Sequence, residues 1–138
     1  MAGEKKLEAE VLTPEGEVFS GELQMLSTRT SVGEVGILAE HIPMIARLVP
    51  AELRLHKSDS EVETYAQGEG WLEVFANRAR VLIAEARSPE ELDVSELRHR
   101  LEEAERSLSE AEEGSAAAEH AERERARSEA FLKIAEGG

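Results

Sequence analysis

The amino-acid sequence predicts an α+β fold, with an N-terminal antiparallel β-sandwich over residues 1–88 and a C-terminal antiparallel two-helix hairpin over residues 89–138. Composition changes at Pro89, because valine, glycine and the aromatic residues are concentrated before it, whereas alanine, glutamate, arginine and leucine dominate after it. The period of the apolar residues changes at the same place, from two to between three and four. Short alternating runs separated by turn residues favour a sandwich over parallel βαβ units.

The first part contains a series of predicted strands, each with one apolar face. Leu7, Ala9 and Val11 alternate with Glu8 and Glu10 and set the pattern. The same alternation predicts core-facing pairs in five later strands: Leu23 with Met25, Leu53 with Leu55, Val62 with Thr64, Leu72 with Val74, and Val81 with Ile83. Turn-forming residues separate these runs at 13–16, 57–60, 68–70 and 77.

The second part predicts two helices joined by a short link. Asp93 stands at a helix start and Glu96 follows three residues later, as in a capping box. A heptad seam then runs along the first helix, at Val94, Leu97, Leu101, Ala104, Leu108 and Ala111. Gly114 is expected as the left-handed residue that ends this helix, and Ser115 as the N-cap of a second helix with a weaker seam.

Charge and composition exclude several classes of protein. The 138 residues include 30 acidic and 16 basic side chains, which gives a net charge of −14 and argues against a nucleic-acid partner. The absence of cysteine excludes thiolate metal sites and thiol catalysis. Apolar runs of about five residues fall far short of the roughly 20 that cross a bilayer.

No catalytic constellation is visible in the sequence. Neither a nucleophile elbow nor a P-loop occurs, and His99 with the following Glu102 and Glu103 resembles ordinary helix-surface pairing more than a metal site. A small hydrolase that uses His41 and Glu40 is a remote alternative.

One cluster stands out from this background, at residues 33–43, which read GEVGILAEHIP. A loop with a glycine bend, a buried Ile-Leu pair and a proline exit explains the cluster as well as a binding loop does.

The pattern Gly36-Ile37-Leu38-x-x-His41-x-Pro43 resembles a segment of the epsilon subunit of bacterial F-type ATP synthases. Three further features follow the family's order: Val11-Leu12-Thr13-Pro14 with Phe19-Ser20-Gly21, then Gly68-x-Gly70-Trp71-Leu72-Glu73-Val74, and finally an acidic bridge from Glu90 to Asp93 that leads into the helices. The resemblance covers essentially the whole chain.

The resemblance implies a ten-stranded sandwich and a non-catalytic subunit in the central stalk of a proton-translocating synthase, where ATP synthesis is coupled to proton transport. The implied partners are the gamma subunit, the membrane proteolipid ring and the catalytic alpha and beta subunits. In this family the C-terminal helices hinder ATP hydrolysis when they extend. The implied location is the cytoplasmic side of a bacterial cell membrane, where other subunits hold the protein.

The resemblance also implies two contact sites. It places a loop of six residues at the proteolipid-ring end: Glu34, Gly36, Ile37, Leu38, His41 and Pro43. It places three basic residues of the second helix against acidic side chains of the beta subunits: Arg123, Arg125 and Arg127. A solvated helix face explains the arginines equally well.

Some members of the family bind ATP through a motif at the start of the first helix. This chain keeps Leu92 and Asp93 of that motif, but Glu96 replaces the expected arginine and Leu97 the expected alanine. A carboxylate repels polyphosphate, so no cofactor is expected. The alternative to a rotor subunit is a free-standing adaptor that presents its helical hairpin to another protein.

Overall fold

A computed structural model describes residues 5–137. Over that range the chain divides into two compact units, with the boundary between Arg87 and Ser88. The first unit consists of ten strands: β1 Leu7–Thr13, β2 Gly16–Leu23, β3 Met25–Thr30, β4 Gly33–Leu38, β5 Met44–Leu48, β6 Ala51–His56, β7 Val62–Gln67, β8 Gly70–Phe75, β9 Arg78–Ile83 and β10 Ala86–Arg87. The second consists of a short 3-10 helix, Pro89–Glu91, followed by α1 Val94–Glu110 and α2 Ala116–Ala135.

The strands follow one hydrogen-bonded path, β10-β7-β6-β3-β5-β8-β9-β1-β2, and β4 pairs with β3. The path folds where Thr30 of β3 faces Leu48 of β5, which gives one layer of β4-β3-β6-β7-β10 and a second of β5-β8-β9-β1-β2. The predicted sandwich is therefore confirmed. One pairing departs from the antiparallel expectation, because β1 runs parallel to β9 and so joins the first hairpin to the last long strand.

The core lies between the two layers and follows the predicted alternation in most strands. Leu53 and Leu55 come from the first layer and Leu72, Val74 and Val81 from the second, and all are almost fully buried. Leu7 and Val11 are fully buried as well, and Ile83 is nearly so. This alternation puts one apolar face of each layer into a shared core.

Two predicted faces are wrong. The pairing of Leu23 with Met25 fails because β2 ends at Leu23 and β3 begins at Met25, so the alternation restarts and Leu26 takes the core position. In β7, Val62 is exposed, while Glu63 and Tyr65 lie opposite Leu55 and Leu53.

A small polar network accommodates Glu63 on this inner side of β7. The carboxylate pairs with the ammonium of Lys57 and accepts a hydrogen bond from the Tyr65 hydroxyl at 2.7 Å. These two groups hold the pKa of Glu63 below its usual value. Burial, and then the bond to Glu63, raises the pKa of Tyr65 to about 12. The sequence pattern assigned β7 to the wrong face because it cannot show such a pairing.

Both predicted N-caps of the helical unit are confirmed. The side chain of Asp93 accepts the Glu96 N–H at 3.1 Å, and the hydroxyl of Ser115 accepts the Ala118 N–H at 3.1 Å. The predicted role of Gly114 is wrong, because α1 ends at Glu110 with an extended cap at Ala111, and the left-handed Gly114 lies in the link.

The seams of the two helices bury few side chains. In α1 only Leu97 and Ala104 of the six predicted seam residues are buried. In α2 the buried residues are Ala121, Ser128, Phe131 and Leu132. Within residues 5–137, no helix combines the length and apolar character that a membrane span requires.

Candidate functional site

The segment 33–43 is not one loop, as the sequence suggested, but a strand and a turn. Residues 33–38 form β4, which pairs along its whole length with β3. Residues 39–43 form the turn that leads to β5. The six predicted contact residues are therefore spread along a strand of about 17 Å and the turn beyond it.

Ile37 anchors this segment in the core, where its side chain is fully buried. Because side chains alternate along a strand, Gly36 and Leu38 face away from the core. Leu38 is 57% exposed. Gly36 has neither a positive φ nor a crowded position, since a methyl group there would meet only the sulfur of Met25 at 3.5 Å. Neither backbone conformation nor space in this chain requires glycine at position 36.

The first end of β4 is the tip of the β3–β4 hairpin. Val32 is 95% exposed at this tip, the most exposed large apolar side chain of the described residues. Glu34 follows on an exposed position, and its carboxylate lies 3.7 Å from the guanidinium of Arg29 on the paired strand. An ion pair this exposed contributes little to stability, so Glu34 is available to a partner.

The other end of β4 is the β4–β5 turn. Glu40 has a left-handed φ of 63°, and its carboxylate pairs with Lys5 at 2.6 Å. The ring Nδ1 of His41 lies 2.7 Å from the carbonyl oxygen of Ile42 and therefore donates to it. Ile42 is 74% exposed, and Pro43 is also exposed. Because Glu40 pairs with Lys5 and His41 with its neighbour, the turn does not form the acid–base pair that a hydrolase would use.

The outer face of the second layer carries further apolar side chains. Ile45, Trp71, Phe75 and Leu82 are exposed there, and Trp71 faces Leu82 across the β8–β9 pair. An ion ladder crosses the same face, with Arg80 3.1 Å from Glu10 and 4.0 Å from Glu73. These ion pairs link side chains of β1, β8 and β9 beside the apolar side chains.

The three predicted arginines of α2 do not share one surface. Arg123 and Arg127 are one turn apart, and the guanidinium of Arg127 lies 4.5 Å from the ring centre of Phe131. Arg125 lies on another side of the helix, where it pairs with Glu122 and with Glu129. Glu122, the nearer partner, raises the pKa of Arg125.

The start of α1 carries more carboxylates than cationic groups, which disfavours polyphosphate binding. The carboxylate of Asp93 caps the helix, and that of Glu96 lies 3.2 Å from Arg100. A groove between α1 and α2 adds Glu103 and Glu124 to this surface. No group of three or more potential metal ligands occurs among residues 5–137.

Sequence reasoning missed Val32, Ile42 and the outer-face residues as candidate contacts. Their apolar character is evident in the sequence, but strand alternation alone does not show that no other part of the chain covers them. Asn77 was recognised only as a turn residue, although its side chain contacts the β4–β5 turn.

A family model described as the β-sandwich domain of the ATP synthase delta/epsilon chain matches residues 6–89. The chain belongs to the ATP synthase delta/epsilon family. The ATP synthase epsilon chain of Sulfurihydrogenibium sp. is 35% identical over 126 residues, which cover 91% of this chain and 94% of the relative. That of Persephonella marina is 38% identical over 127 residues, which cover 91% and 93%.

Solved structures share the fold of this epsilon-type chain. A chain of the Euglena gracilis mitochondrial ATP synthase, in an OSCP/F1/c-ring structure, matches with a TM-score of 0.80 and 22% identity over 91% of this chain and 79% of that one. A chain of the Tetrahymena thermophila central stalk and c-ring structure matches with a TM-score of 0.65 and 16% identity, covering 96% and 98%.

The recognition drawn from the segment around Gly36 is thus confirmed, and so is the expectation of a non-catalytic subunit of a rotary ATP synthase. The adaptor and hydrolase alternatives give way to this family membership. The synthase is a membrane-associated complex, so the chain associates with a membrane as part of it.

We predict that Gly36→Ala and Gly70→Ala differ in their effect on the free energy of unfolding. A methyl group on Gly70 would lie 1.9 Å from the carbonyl oxygen of Leu82, so this substitution should cost about 3 kcal/mol of unfolding free energy. Gly36→Ala should leave stability unchanged or raise it by up to about 1 kcal/mol. Urea unfolding followed by Trp71 fluorescence measures both, and a comparable loss in the two variants would contradict the prediction.

Proposed function

We propose that this chain is the central-stalk subunit that joins the gamma subunit to the proteolipid ring and that its two helices restrain ATP hydrolysis. The supporting observation is the placement of the exposed large apolar side chains of the described residues. All of them lie in the sandwich, and most lie at the two ends of β4 or on the outer face of the second layer. Grouped apolar side chains of this kind mark surfaces that bind other proteins.

The tip of the β3–β4 hairpin is the proposed contact with the proteolipid ring. Val32 offers an apolar side chain that is almost fully exposed, and Glu34 adds a carboxylate next to it. Gly36, on the exposed side of the same strand, lets another backbone approach closely. Of the predicted ring-contact residues, Glu34 and Gly36 are assigned to this contact, and Ile37 anchors the strand in the core.

The β4–β5 turn and the outer face of the second layer are the proposed contact with the gamma subunit. The turn leads directly into β5, whose Ile45 lies beside Glu73 of β8, so Leu38, His41, Ile42 and Pro43 adjoin that face. The aromatic side chains of Trp71 and Phe75 supply the large apolar area typical of interface centres. Two ends of one strand would thus serve two partners.

Loose packing supports a regulatory role for the helical hairpin. Few side chains are buried, and the hydroxyl of Ser128 is buried without a hydrogen-bond partner, which costs about 1–3 kcal/mol. The ion pairs between the helices, Arg98 with Glu136 at 2.6 Å and Arg100 with Glu124 at 4.0 Å, are exposed. Strong helix formers keep each helix stable when the two part, so closed and open arrangements differ by a small free energy.

In the open arrangement, Arg123 and Arg127 would contact acidic side chains of the catalytic beta subunits. The stacking of Arg127 on Phe131 is internal to α2, so opening the hairpin would preserve it. Arg125 pairs with Glu122 and Glu129 on another side of the helix, so it would contact a different part of the partner surface.

The proposed location is the cytoplasmic side of a bacterial cell membrane, with attachment through the proteolipid ring and gamma. The bacterial relatives support this location. The acidic helices offer no basic amphipathic surface for lipid.

We predict that the two sandwich surfaces act on different partners. Val32→Ser and Glu34→Ala should weaken binding to the solubilised proteolipid ring and leave gamma binding intact. Trp71→Ser and His41→Ala should weaken binding to gamma and leave binding to the ring intact. Loss of a central aromatic contact should weaken binding about tenfold or more. Val62→Ser, an exposed position on β7, is the matched control. If either set failed to lower the affinity for its own partner, that assignment would be wrong.

We predict that hairpin variants change the inhibition of hydrolysis in a reconstituted synthase. Ser128→Ala should stabilise the closed hairpin by about 1 kcal/mol, a roughly fivefold shift in population, and so lower inhibition. Phe131→Ala, which removes a fully buried side chain, should raise inhibition. Arg123→Ala with Arg127→Ala should relieve inhibition without loss of helicity by circular dichroism. Unchanged inhibition in all three would refute the regulatory role.

We predict that ATP binds to this chain with millimolar or weaker affinity. The carboxylates of Glu96, Glu103 and Glu124 line the groove between the helices. The arginine in the same lining, Arg100, already pairs with Glu96 and Glu124, so the groove favours polyphosphate little. Isothermal calorimetry measures the affinity directly. Micromolar binding would show that the departures from the family's nucleotide motif do not matter.

A further inference from the structure

Asn77 lies in the two-residue turn between β8 and β9. Phe75 pairs with Arg78, and the residues between them, Ala76 and Asn77, have φ values of 49° and 62°. Two successive left-handed residues define a type I′ turn, in which asparagine is more readily accommodated than most residues.

Three hydrogen bonds join Asn77 to two other segments. Its side-chain Nδ2 donates to the carbonyl oxygen of Lys6 at 2.9 Å, and its Oδ1 accepts the N–H of Glu40 at 2.8 Å. Its own carbonyl oxygen accepts the N–H of Glu8 at 3.1 Å. One residue therefore ties the β8–β9 turn to the start of β1 and to the β4–β5 turn.

The hydrogen bond from the Glu40 N–H constrains a residue with an unfavourable backbone conformation. Glu40 has a φ of 63°, a conformation that residues with a Cβ rarely adopt. Such conformations persist where the surroundings fix them. The ion pair of Glu40 with Lys5 is exposed and therefore weak, so the Asn77 amide is the stronger constraint.

We propose that Asn77 is the positioning residue of the β4–β5 turn. By holding Glu40 in the left-handed conformation, it fixes the direction in which the chain leaves the turn and so presents Ile42 and Pro43 beside Leu38, which strand alternation already directs outward. This role rests on the proposed function, in which that turn contacts gamma.

The fold explains why this task falls to a residue 37 positions away in the sequence. The β4–β5 turn is attached to the core by Ile37 on one side and by β5 on the other, and the residues between them are largely exposed. A side chain from the neighbouring turn adds a link to this exposed stretch, beside the backbone bond from the His41 N–H to the Leu38 carbonyl oxygen at 3.2 Å.

The first test measures amide hydrogen exchange of Glu40 in the full-length free chain. Asn77→Gly keeps the positive φ accessible but removes both side-chain bonds. Asn77→Asp keeps the acceptor for the Glu40 N–H and loses only the donor to the Lys6 carbonyl oxygen. Glu40 exchange should become roughly three- to tenfold faster in Asn77→Gly, which is the net effect of one hydrogen bond, and stay near the native rate in Asn77→Asp. Unchanged exchange in Asn77→Gly would overturn the proposal.

Ser58→Ala is the matched control for this measurement. The hydroxyl of Ser58 accepts the Ser60 N–H at 3.4 Å in the β6–β7 turn, so the variant removes a side-chain bond from a different turn. Its Glu40 exchange should equal that of the unmodified chain, and a rise as large as that of Asn77→Gly would mean that general loosening, not Asn77, controls the turn.

The second test measures the affinity of the same variants for the isolated gamma subunit. Asn77→Gly should bind several-fold more weakly and Asn77→Asp near normally, in parallel with the exchange rates. A double variant, Leu38→Ala with Ile42→Ala, tests the contact itself. If this double variant weakens binding but Asn77→Gly does not, the positioning role is overturned. If the double variant binds normally, the proposed gamma contact fails, and the exchange rates alone decide whether Asn77 holds the turn.

Discussion

The burial of Ile37 is the constraint on which the binding surface depends. Its side chain is fully enclosed in the core, so strand alternation directs Gly36 and Leu38 outward. Pairing with β3 along the whole of β4 then fixes both ends of the strand, with Val32 and Glu34 at one end and the β4–β5 turn at the other. A side chain that is buried in the core thus determines which residues the two proposed contact surfaces expose.

Much of the fold follows from local pattern. Alternation identified the core residues of β1, β6, β8 and β9, and side-chain capping identified the starts of both helices. The errors arise where longer-range pairing overrides pattern. The break at Gln24 shifts the alternation between β2 and β3, and Glu63 occupies an inner position because Lys57 and Tyr65 satisfy its carboxylate. Neither effect can be recognised from the local sequence.

The sequence identified which residues form the candidate site but not their secondary structure. The segment with Gly36, His41 and Pro43 was identified by its residues, yet it was expected as a loop, because glycine and proline suggest a bend. Hydrogen bonding to β3 makes most of it a strand. The outer-face patch around Trp71 depends on which sheet face stays uncovered, and only the strand order reveals this.

The helical unit carries 15 acidic and 7 basic side chains from residue 89 onward. Closing the hairpin brings carboxylates of α1, among them Glu96 and Glu103, to the same groove as Glu124 of α2. Arg100 reaches into that groove, 3.2 Å from Glu96 and 4.0 Å from Glu124, so attraction between the helices accompanies the repulsion of their carboxylates. Both effects weaken as ionic strength rises, since the Debye length is about 10 Å at 0.1 M salt. In concentrated electrolyte the closed hairpin therefore relies mainly on its few buried apolar side chains.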